Sequence, residues 1–244
     1  GIGLEFVRQC RAAGDRVIAT ARDDEGLERL RDLGAEPMRL DVADPLSASG
    51  LSWQLDGEKI DVALYVAGVI DRGTASSPPT QQAFDALMHT NVLGLMQVLP
   101  QIMPMVEEAG GVFGALSSAM SQIGTVPGSN SWMYRVSKAA LNMAVSSARF
   151  DYPKATLVTL DPGWVQTDMG GGAAPLTAEA SVSGLRHVLA HLNPDDNGRL
   201  IIIWRRQICG LPCMPSKNAP VERIGVKRYA RMQWHRDGNR QLGC

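Results

Sequence analysis

The sequence predicts an α/β fold, in which a single domain forms a doubly wound parallel sheet. Three observations lead to this prediction. Segments with strand and helix patterns alternate along the chain from residue 17 to residue 204. One strand segment, residues 60–66, has almost no polar positions, as expected when helices cover both faces of a parallel strand. The length of 244 residues suits one α/β domain or two small ones.

The individual elements follow from periodicity and from stop signals. Apolar residues at helical spacing begin at Leu4, and Gly14 ends this first helix. Further helices are predicted at residues 24–33, 45–55, 82–106, 132–150 and 178–192. Short apolar runs predict strands at residues 17–20, 38–42, 60–66, 110–117, 155–161 and 200–204. Because a helix lies in almost every connection, we expect the strands to pair in parallel.

The overall composition excludes several classes of protein. With 45% hydrophobic and 20% charged residues, the chain is not disordered, collagen-like or disulfide-dense. No run of eighteen apolar residues predicts a transmembrane helix, and no basic segment followed by an apolar stretch predicts a secretory signal. We therefore expect a cytoplasmic protein that has neither a membrane nor a nucleic acid as its partner.

Charge divides the chain unevenly. Residues 1–204 hold 15 Lys and Arg against 23 Asp and Glu (−8), whereas residues 205–244 hold 9 against 2 (+7). The last segment also contains Cys209, Cys213 and Cys244, but no matching His or Cys cluster predicts a metal site.

Residues 205–244 show no clear helical or strand period, so the candidate domain boundary lies near residue 205. Three interpretations of this segment are open. The segment is a basic arm that binds nucleic acid or an acidic surface, an extra structured element, or sequence foreign to the fold, such as a shifted reading frame. We favour the third and expect the domain to comprise residues 1–204.

Tyr134 and Lys138 are the leading catalytic candidates. They lie four positions apart in a predicted helix and therefore on one face. A nearby ammonium favours the phenolate and lowers the pKa of a tyrosine, which permits proton exchange with a substrate oxygen. The alternative is that the two residues are an ordinary pair on a helix surface.

Two polar residues near predicted element ends extend this candidate site. Ser118 follows a strand, where open α/β sheets bind ligands, and its hydroxyl could donate to a substrate carbonyl. Asn91 lies inside the long helix, where its amide could hold a water or a backbone group. The alternatives are a loop serine and a surface asparagine.

A pair of glycines precedes the first helix. Gly1 and Gly3 would allow a pyrophosphate to approach the backbone, and a helix N-terminus favours an anion. The strand that should precede these two glycines is absent from the sequence.

A series of motifs follows in a fixed order along the chain. Asn91 begins Asn-Val-Leu-Gly, Ser118 follows a strand, and Tyr134 with Lys138 forms Tyr-x-x-x-Lys. Pro162 begins Pro-Gly-Trp-Val-Gln-Thr-Asp-Met. Together these motifs resemble the short-chain dehydrogenase/reductase family, over about the first 204 residues. The serine and the tyrosine lie 16 positions apart, slightly further than is usual in that family.

The resemblance implies a Rossmann-type fold and a role for each matched residue. Tyr134 would exchange the proton, Lys138 would bind the nicotinamide ribose, Ser118 would polarise the carbonyl, and Asn91 would anchor a water. The implied cofactor-binding residues are Gly1, Ile2, Gly3, Arg22, Asp41, Val42, Ala67, Gly68, Tyr134, Lys138, Pro162, Gly163, Val165 and Thr167. The resemblance also implies a homodimer or homotetramer, with the long helix and the Tyr134 helix commonly forming the dimer contact.

Three local sequence segments narrow the resemblance to the C-factor-like and sniffer-like carbonyl reductase subgroup. The segments 134–142, 163–171 and 175–177 carry this likeness, which implies NADPH-dependent reduction of a carbonyl compound. Independently, Arg22 ends a strand where no acidic residue is present, so it could pair with the 2′-phosphate of NADP. NADP(H) is therefore favoured over NAD(H), although Arg22 could also be a solvated turn residue.

Two departures from the family pattern affect the expected site. Val66 replaces an asparagine of the family's Asn-Asn-Ala-Gly segment, so we expect weaker support for the loop beside the cofactor. The family's first strand is missing, so we expect a shortened copy of a longer parent with exposed edges on the neighbouring strands. The alternatives to an active enzyme are a nucleotide-sensing or signalling protein and an inactive fragment.

Overall fold

The computed structural model describes residues 1–203. The predictions for Trp204, for residues 205–244 and for the three cysteines of that segment lie outside the described residues. None of the helices in the described part of the chain is both long and apolar enough to cross a bilayer.

The described residues form an α/β fold in which helices and strands alternate, as the sequence predicts. The helices are α1 (Ile2–Ala12), α2 (Asp24–Asp32), α3 (Pro45–Ala48), α4 (Leu51–Gln54), α5 (Gln81–Met88), α6 (Gly94–Glu108), α7 (Trp132–Ala148) and α8 (Ala178–Ala190). The strands are β1 (Ile18–Ala21), β2 (Glu36–Arg39), β3 (Val62–Tyr65), β4 (Val112–Leu116), β5 (Thr156–Asp161) and β6 (Leu200–Ile202). A π-helical turn, His89–Leu93, joins α5 to α6.

All strand pairs within residues 1–203 are parallel, and they form two sheets. One sheet contains β1 and β2, and the other has the order β3-β4-β5-β6. Parallel pairing puts the C-terminal ends of neighbouring strands at the same edge. No backbone pairing joins β1 to β3 in these residues, and Val62 of β3 is 48% exposed, as expected for an open strand edge.

Helices cover both faces of the four-stranded sheet. On one face, α3, α4, α6 and α7 pack on alternate strand residues such as Ala63, Phe113 and Leu157. On the other face, α1 and α8 pack on the intervening residues, including Val158 and Leu160. Because successive side chains of a strand point to opposite faces, each strand contributes to two hydrophobic cores. This is the doubly wound arrangement that the sequence predicts.

One arginine connects the two sheets at the N-terminal ends of their strands. Arg16 precedes β1, and its guanidinium contacts Glu36 at the start of β2 with N–O distances of 2.7 Å. The same guanidinium contacts Glu58, shortly before β3, at 2.5 Å and 2.9 Å. This exposed ion pair spans the space between β1 and β3.

Three predicted elements differ clearly from the observed ones. The second strand is predicted at residues 38–42 but occupies Glu36–Arg39, and it includes Pro37. Within the described sheets β2 is an edge strand, and a proline is tolerated there because its missing N–H can face away from the partner. The long helix predicted at residues 82–106 is interrupted by the π-helical turn, and the segment 45–55 divides into two short helices.

Candidate functional site

The ends of three neighbouring strands place most of the predicted residues at one edge of the sheet. Ala67 and Gly68 follow β3, Ser118 follows β4, and Pro162 with Gly163 follows β5. The strands are parallel and hydrogen-bonded to one another, so these segments are neighbours. Helix α7 packs against β5 and brings its own residues to this edge.

Tyr134 and Lys138 lie one turn apart on α7 and are both buried, being 6% and 3% exposed. The Nζ atom of Lys138 lies 5.7 Å from the centroid of the Tyr134 ring. It donates a hydrogen bond of 2.8 Å to the carbonyl of Leu116, at the end of β4. The structure therefore brings the predicted pair together and fixes the lysine against the sheet.

Burial dominates the protonation of this pair. It raises the pKa of Tyr134 to about 12, with a further rise from Asp161 and a smaller opposing effect from the Ser118 side chain. It lowers the pKa of Lys138 to about 8. The predicted lowering of the Tyr134 pKa is thus not the net direction in this structure, because desolvation of the phenol and the charge of Asp161 both raise it.

Ser118 begins a 3-10 turn, and its Oγ accepts the N–H of Met120 at 3.1 Å. A chain of three hydrogen bonds holds this turn to α7. Ser117 Oγ donates to Asn142 Oδ1 (2.6 Å), Asn142 Nδ2 donates to Ser121 Oγ (2.7 Å), and Ser121 Oγ donates to the Ser118 carbonyl (2.5 Å). Asn142 lies two turns after Tyr134, so one helix face carries both.

Asn91 lies in the π-helical turn and is fully buried. Its Oδ1 accepts the N–H of Val69 at 2.8 Å, and its Nδ2 donates to the Val69 carbonyl at 2.9 Å. The same Nδ2 donates at 2.9 Å to Ser137 Oγ, which donates to the carbonyl of Tyr134 at 2.8 Å. The sequence left open whether the Asn91 amide binds a water or a backbone group. In the structure it binds the backbone of Val69.

The π-helical turn has a second attachment to the sheet. Tyr65, at the end of β3, donates from its hydroxyl to the carbonyl of Thr90 at 2.7 Å. Gly94 follows the turn, and a Cβ placed there would lie 2.6 Å from the Val42 carbonyl oxygen and 2.8 Å from the Tyr65 hydroxyl. Only a residue without a side chain permits this approach.

The loop after β3 is held although Val66 replaces a hydrogen-bonding residue. Val66 packs in the hydrophobic core beneath α1 and α8, and a Cβ on Gly3 would lie 3.4 Å from its Cγ1. Two hydrogen bonds between Asn91 and the backbone of Val69, one donated in each direction, hold this loop three residues after Val66.

The segment after β5 has a turn that needs glycine, since Gly163 has a φ of +76°. Ser181 of α8 donates to the Pro162 carbonyl at 2.7 Å and anchors this turn. Val165 is buried and forms an isolated bridge with Leu176. The predicted cofactor residues Pro162, Gly163, Val165 and Thr167 are thus neighbours on one anchored loop. Thr167 belongs to it because its Oγ1 accepts the N–H of Gly170 at 3.0 Å.

The predicted phosphate-binding residues lie at the start of α1. Gly1 precedes the first helical residue, Ile2, and nothing lies within 4 Å of a Cβ added to Gly1. The contact of Gly3 with Val66 puts this helix start beside the end of β3. The three residues therefore reach the same sheet edge as Gly68.

The predicted adenosine-binding residues are more exposed. Arg22 follows β1 with a side chain that is 75% exposed and lies 3.8 Å from Asp23. Asp41 accepts the N–H of Ala43 at 2.9 Å, and the Asp41 N–H donates to Ser47 at 2.9 Å. Val42, next along this loop, contacts Gly94 as described above. The guanidinium of Arg22 thus has room for a further anionic partner.

The donor set fits a nicotinamide nucleotide. Within residues 1–203, Lys138 donates to one carbonyl, so two of its three N–H groups are available to ribose hydroxyls. A Cβ on Gly68 would lie 3.3 Å from Lys138 Nζ and 3.4 Å from Asn91 Oδ1, so its glycine keeps a space open beside the lysine. In the same residues, no cluster of three or more His, Cys, Asp or Glu side chains could hold a metal ion.

Sequence reasoning overlooked three residues that shape this site. Asn142 was detectable as the third polar residue at four-residue spacing after Tyr134 and Lys138. Asp161 was detectable as a carboxylate that directly precedes the Pro-Gly turn. Nothing in the sequence signals that the Tyr65 hydroxyl reaches the π-helical turn, because that contact depends on the irregular helix.

Comparisons with known proteins agree with this arrangement. The family model described as short chain dehydrogenase matches residues 1–175. C-signal of Myxococcus xanthus is 36% identical over 145 residues, which cover 57% of this chain and 86% of that protein. The match agrees with the resemblance of segments 134–142, 163–171 and 175–177 to the C-factor-like subgroup.

Solved structures show the same fold. The NADPH-bound carbonyl reductase from chicken fatty liver has a TM-score of 0.75 and 27% identity, covering 84% of this chain and 92% of its own. Carbonyl reductase Sniffer of D. melanogaster has a TM-score of 0.77 and 24% identity over 83% and 92% of the two chains, and it supports the fold. Sequence motifs, site geometry and family match agree, and the chain belongs to the short-chain dehydrogenase/reductase family.

Proposed function

We propose that this protein is an NADPH-dependent carbonyl reductase that reduces an aldehyde or a ketone to an alcohol. The observation that carries the proposal is the buried pair of Tyr134 and Lys138 at the strand-end edge, beside Ser118. A protein without catalysis has no need for a phenol, an ammonium and a hydroxyl gathered at one ligand-binding edge.

The proposed mechanism assigns one task to each side chain. A bound nicotinamide cofactor would supply the hydride that reduces the carbonyl carbon. Ser118 would donate a hydrogen bond to the substrate oxygen and polarise the carbonyl. Tyr134, which holds its proton because its pKa is raised to about 12, would transfer that proton to the oxygen. Lys138 would bind the nicotinamide ribose and stabilise the phenolate that remains.

Asn91 supports this mechanism through the backbone. Its amide fixes Val69 and, through Ser137, the carbonyl of Tyr134. We propose that any water of a proton relay is held by the backbone of the π-helical turn, because the Asn91 side chain is already engaged.

The preference for NADPH rests on Arg22 and on the relatives. Arg22 is exposed at the end of β1, and its guanidinium could form charge-assisted hydrogen bonds to a 2′-phosphate. The carbonyl reductase of chicken fatty liver, which is similar over 84% of this chain, is described as NADPH-bound. The phosphates would lie at the start of α1, where free N–H groups point outward.

The first prediction tests the catalytic role of Tyr134. We expect Tyr134→Phe to lower kcat for aldehyde and ketone reduction by at least about a thousandfold, because the substrate oxygen loses its proton donor. NADPH affinity should change by less than about threefold. Steady-state assays with varied carbonyl substrates and a fluorescence titration of NADPH measure the two quantities.

Tyr152→Phe is the matched control, because Tyr152 lies beyond the end of α7 and packs in the core away from the strand-end edge. Wild-type turnover in Tyr134→Phe would refute the proposed function. Loss of turnover in both variants would show that the effect is not specific to Tyr134.

A signalling protein on the same scaffold is the second candidate, because a relative at 36% identity is named C-signal. NADPH binding without turnover on any of the varied aldehydes and ketones would favour this candidate. Absence of NADPH binding by this 244-residue chain would favour an inactive fragment.

The outer surfaces of α6 and α7 support a homodimer or homotetramer. Three apolar side chains on these surfaces are each at least 50% exposed, namely Met96 of α6 and Val136 and Met143 of α7. Burying this surface against a second copy would stabilise an assembly. We also propose a cytoplasmic location, since the first 204 residues carry a net charge of −8.

A further inference from the structure

A buried carboxyl group lies beside the site and has no role in the mechanism above. Asp161 ends β5 and is 5% exposed. Among residues 1–203, no Lys, Arg or His forms an ion pair with it. Burial raises the pKa of the Asp161 carboxyl. An unpaired buried carboxylate opposes folding, so its presence at a ligand-binding edge suggests a function.

Asp161 receives two backbone donors from two different segments. Its Oδ1 accepts the N–H of Gly163 at 3.3 Å, within the turn that follows β5. The backbone of Ala119, which directly follows Ser118, also stabilises the charged form of the carboxylate and thereby lowers its pKa. One side chain thereby ties the Ser118 turn to the Pro162–Gly163 turn.

The titratable neighbours of Asp161 are few. Helix α7 contributes Tyr134 to the side-chain environment of the site, together with Lys138 one turn later. On the flanking strands, Asp161 pairs with Ile202 of β6, and the Ser117 N–H donates to the preceding carbonyl of β5 at 2.7 Å. Neither flanking strand brings a charge to Asp161 at this level. On α7, the charge of Asp161 acts on Tyr134.

We propose that Asp161 is a positioning residue of the active site: its carboxylate joins the Ser118 turn to the Pro162–Gly163 turn and places one negative charge beside the Tyr134 hydroxyl. The proposal rests on the proposed function, in which those two turns and Tyr134 surround the reacting carbonyl. It adds a residue that contacts neither substrate nor cofactor.

The charge has a definite direction of effect. Asp161 raises the pKa of Tyr134, because a negative neighbour disfavours the phenolate. Removing the charge should therefore lower the pKa of Tyr134. The pH at which carbonyl reduction fails on the basic side, and the pH at which alcohol oxidation begins on the acidic side, should both move down.

Two substitutions separate the charge from the tie. Asp161→Asn removes the charge but keeps a side-chain oxygen that can accept the backbone N–H groups. Asp161→Ala removes both. Asp196→Asn is the matched control, since Asp196 is also buried and accepts a backbone N–H, from Asn193 at 3.0 Å, but it precedes β6 at the opposite edge of the sheet.

We expect Asp161→Asn to move both pH profiles down by about half a unit or more, with kcat at the optimum within about threefold of the unsubstituted protein. Asp161→Ala should show the same shift and a kcat that is about tenfold lower, because the two turns are no longer joined. Asp196→Asn should leave the profiles in place.

A spectroscopic titration tests the charge effect independently of turnover. The ultraviolet absorbance of tyrosinate is followed against pH, and the matching Tyr134→Phe variant is subtracted to isolate Tyr134. The isolated transition should occur at lower pH in Asp161→Asn than in the unsubstituted chain. This measurement remains valid if Asp161→Ala does not fold or if the chain has no carbonyl reductase activity.

The proposal is overturned if the Tyr134 transition in Asp161→Asn lies within about 0.2 units of the unsubstituted one. It is also overturned if Asp161→Ala and Asp161→Asn have equal kcat, since the tie would then have no effect. Failure of the proposed function gives a different result, namely a tyrosinate shift without any turnover to measure.

Discussion

Tyr134 and Lys138, on the four-stranded side of the molecule, are 6% and 3% exposed, whereas Arg22, on the two-stranded side, has a side chain that is 75% exposed. The buried residues are fixed by hydrogen bonds to sheet ends and to the π-helical turn. Arg22 is 3.8 Å from its nearest carboxylate.

The difference shows that the two parts of the site are built by different physical means. In the proposed function, the buried side transfers a proton, and its hydrogen bonds fix each group before a ligand arrives. The exposed side is proposed to hold a nucleotide phosphate, for which exposed positive charge suffices because the ligand brings its own hydrogen-bond acceptors. Substitutions should therefore be far more disruptive on the four-stranded side than on the two-stranded side.

The largest effect on stability is expected at Asn91. Asn91→Ala should lower the free energy of unfolding by about 4 kcal/mol, because it removes three buried hydrogen bonds and leaves both backbone groups of Val69 without their partner. Urea denaturation measures the change. Asn130→Ala, at an exposed asparagine, is the control and should cost less than about 0.5 kcal/mol. Equal effects at the two positions would break the comparison.

A smaller effect, confined to a pH range, is expected at Lys138. Its pKa is about 8 in the folded protein against an ordinary value of 10.5, so between these values the unfolded chain binds more protons. The free energy of unfolding should therefore rise with pH across this range, by about 3 kcal/mol in total. Below about pH 8 this gain is absent.

Lys138→Met should remove this rise, and Lys154→Met, at an exposed lysine, should keep it. Urea denaturation at about pH 7.5 and about pH 10 compares the variants, with other groups such as Tyr65 cancelling in the difference. An identical rise in the unsubstituted protein and in Lys138→Met would show that Lys138 is not desolvated as the structure indicates.

The smallest effect is expected at Arg22. Arg22→Ala should weaken NADPH binding by about tenfold and leave NADH binding nearly unchanged, because an exposed guanidinium contributes only modestly to an ion pair. Fluorescence titrations with both nucleotides measure the ratio. Arg29→Ala, on the exposed surface of α2, is the control. Equal losses for the two nucleotides would assign Arg22 to general attraction rather than to the 2′-phosphate.

The sequence predicted the fold on the basis of periodicity, and periodicity was reliable where each element follows one pattern. It placed Tyr134 and Lys138 on one helix face and located the end of β5 at Asp161. It did not reveal the π-helical turn, because one extra residue per turn leaves the apolar spacing of the long helix almost unchanged. The boundary of β2 was displaced because Pro37 indicates a break except in an edge strand.

For the candidate site, the sequence could predict those residues that residue type and spacing single out, but not the contacts that depend on packing between elements. Residue types and spacing selected Tyr134, Lys138 and Ser118 as candidates, and the structure brings these three residues to one edge of the sheet. The chain from Ser117 through Asn142 to Ser121 was not predictable, since it joins two elements whose packing the sequence does not specify. The direction of the Tyr134 pKa was missed for the same reason, because burial depends on the assembled fold.

The close approach at Gly94 limits how this protein could be engineered for heat resistance. A glycine at the first position of a long helix is an obvious target for replacement by alanine, which gains about 1 kcal/mol in an open helix. Here the added methyl group would meet the Val42 carbonyl at 2.6 Å, so the helix would have to move away from the loop that follows β2. A design programme that treats glycine as a defect would therefore separate two segments of the proposed nucleotide site that this contact keeps in register.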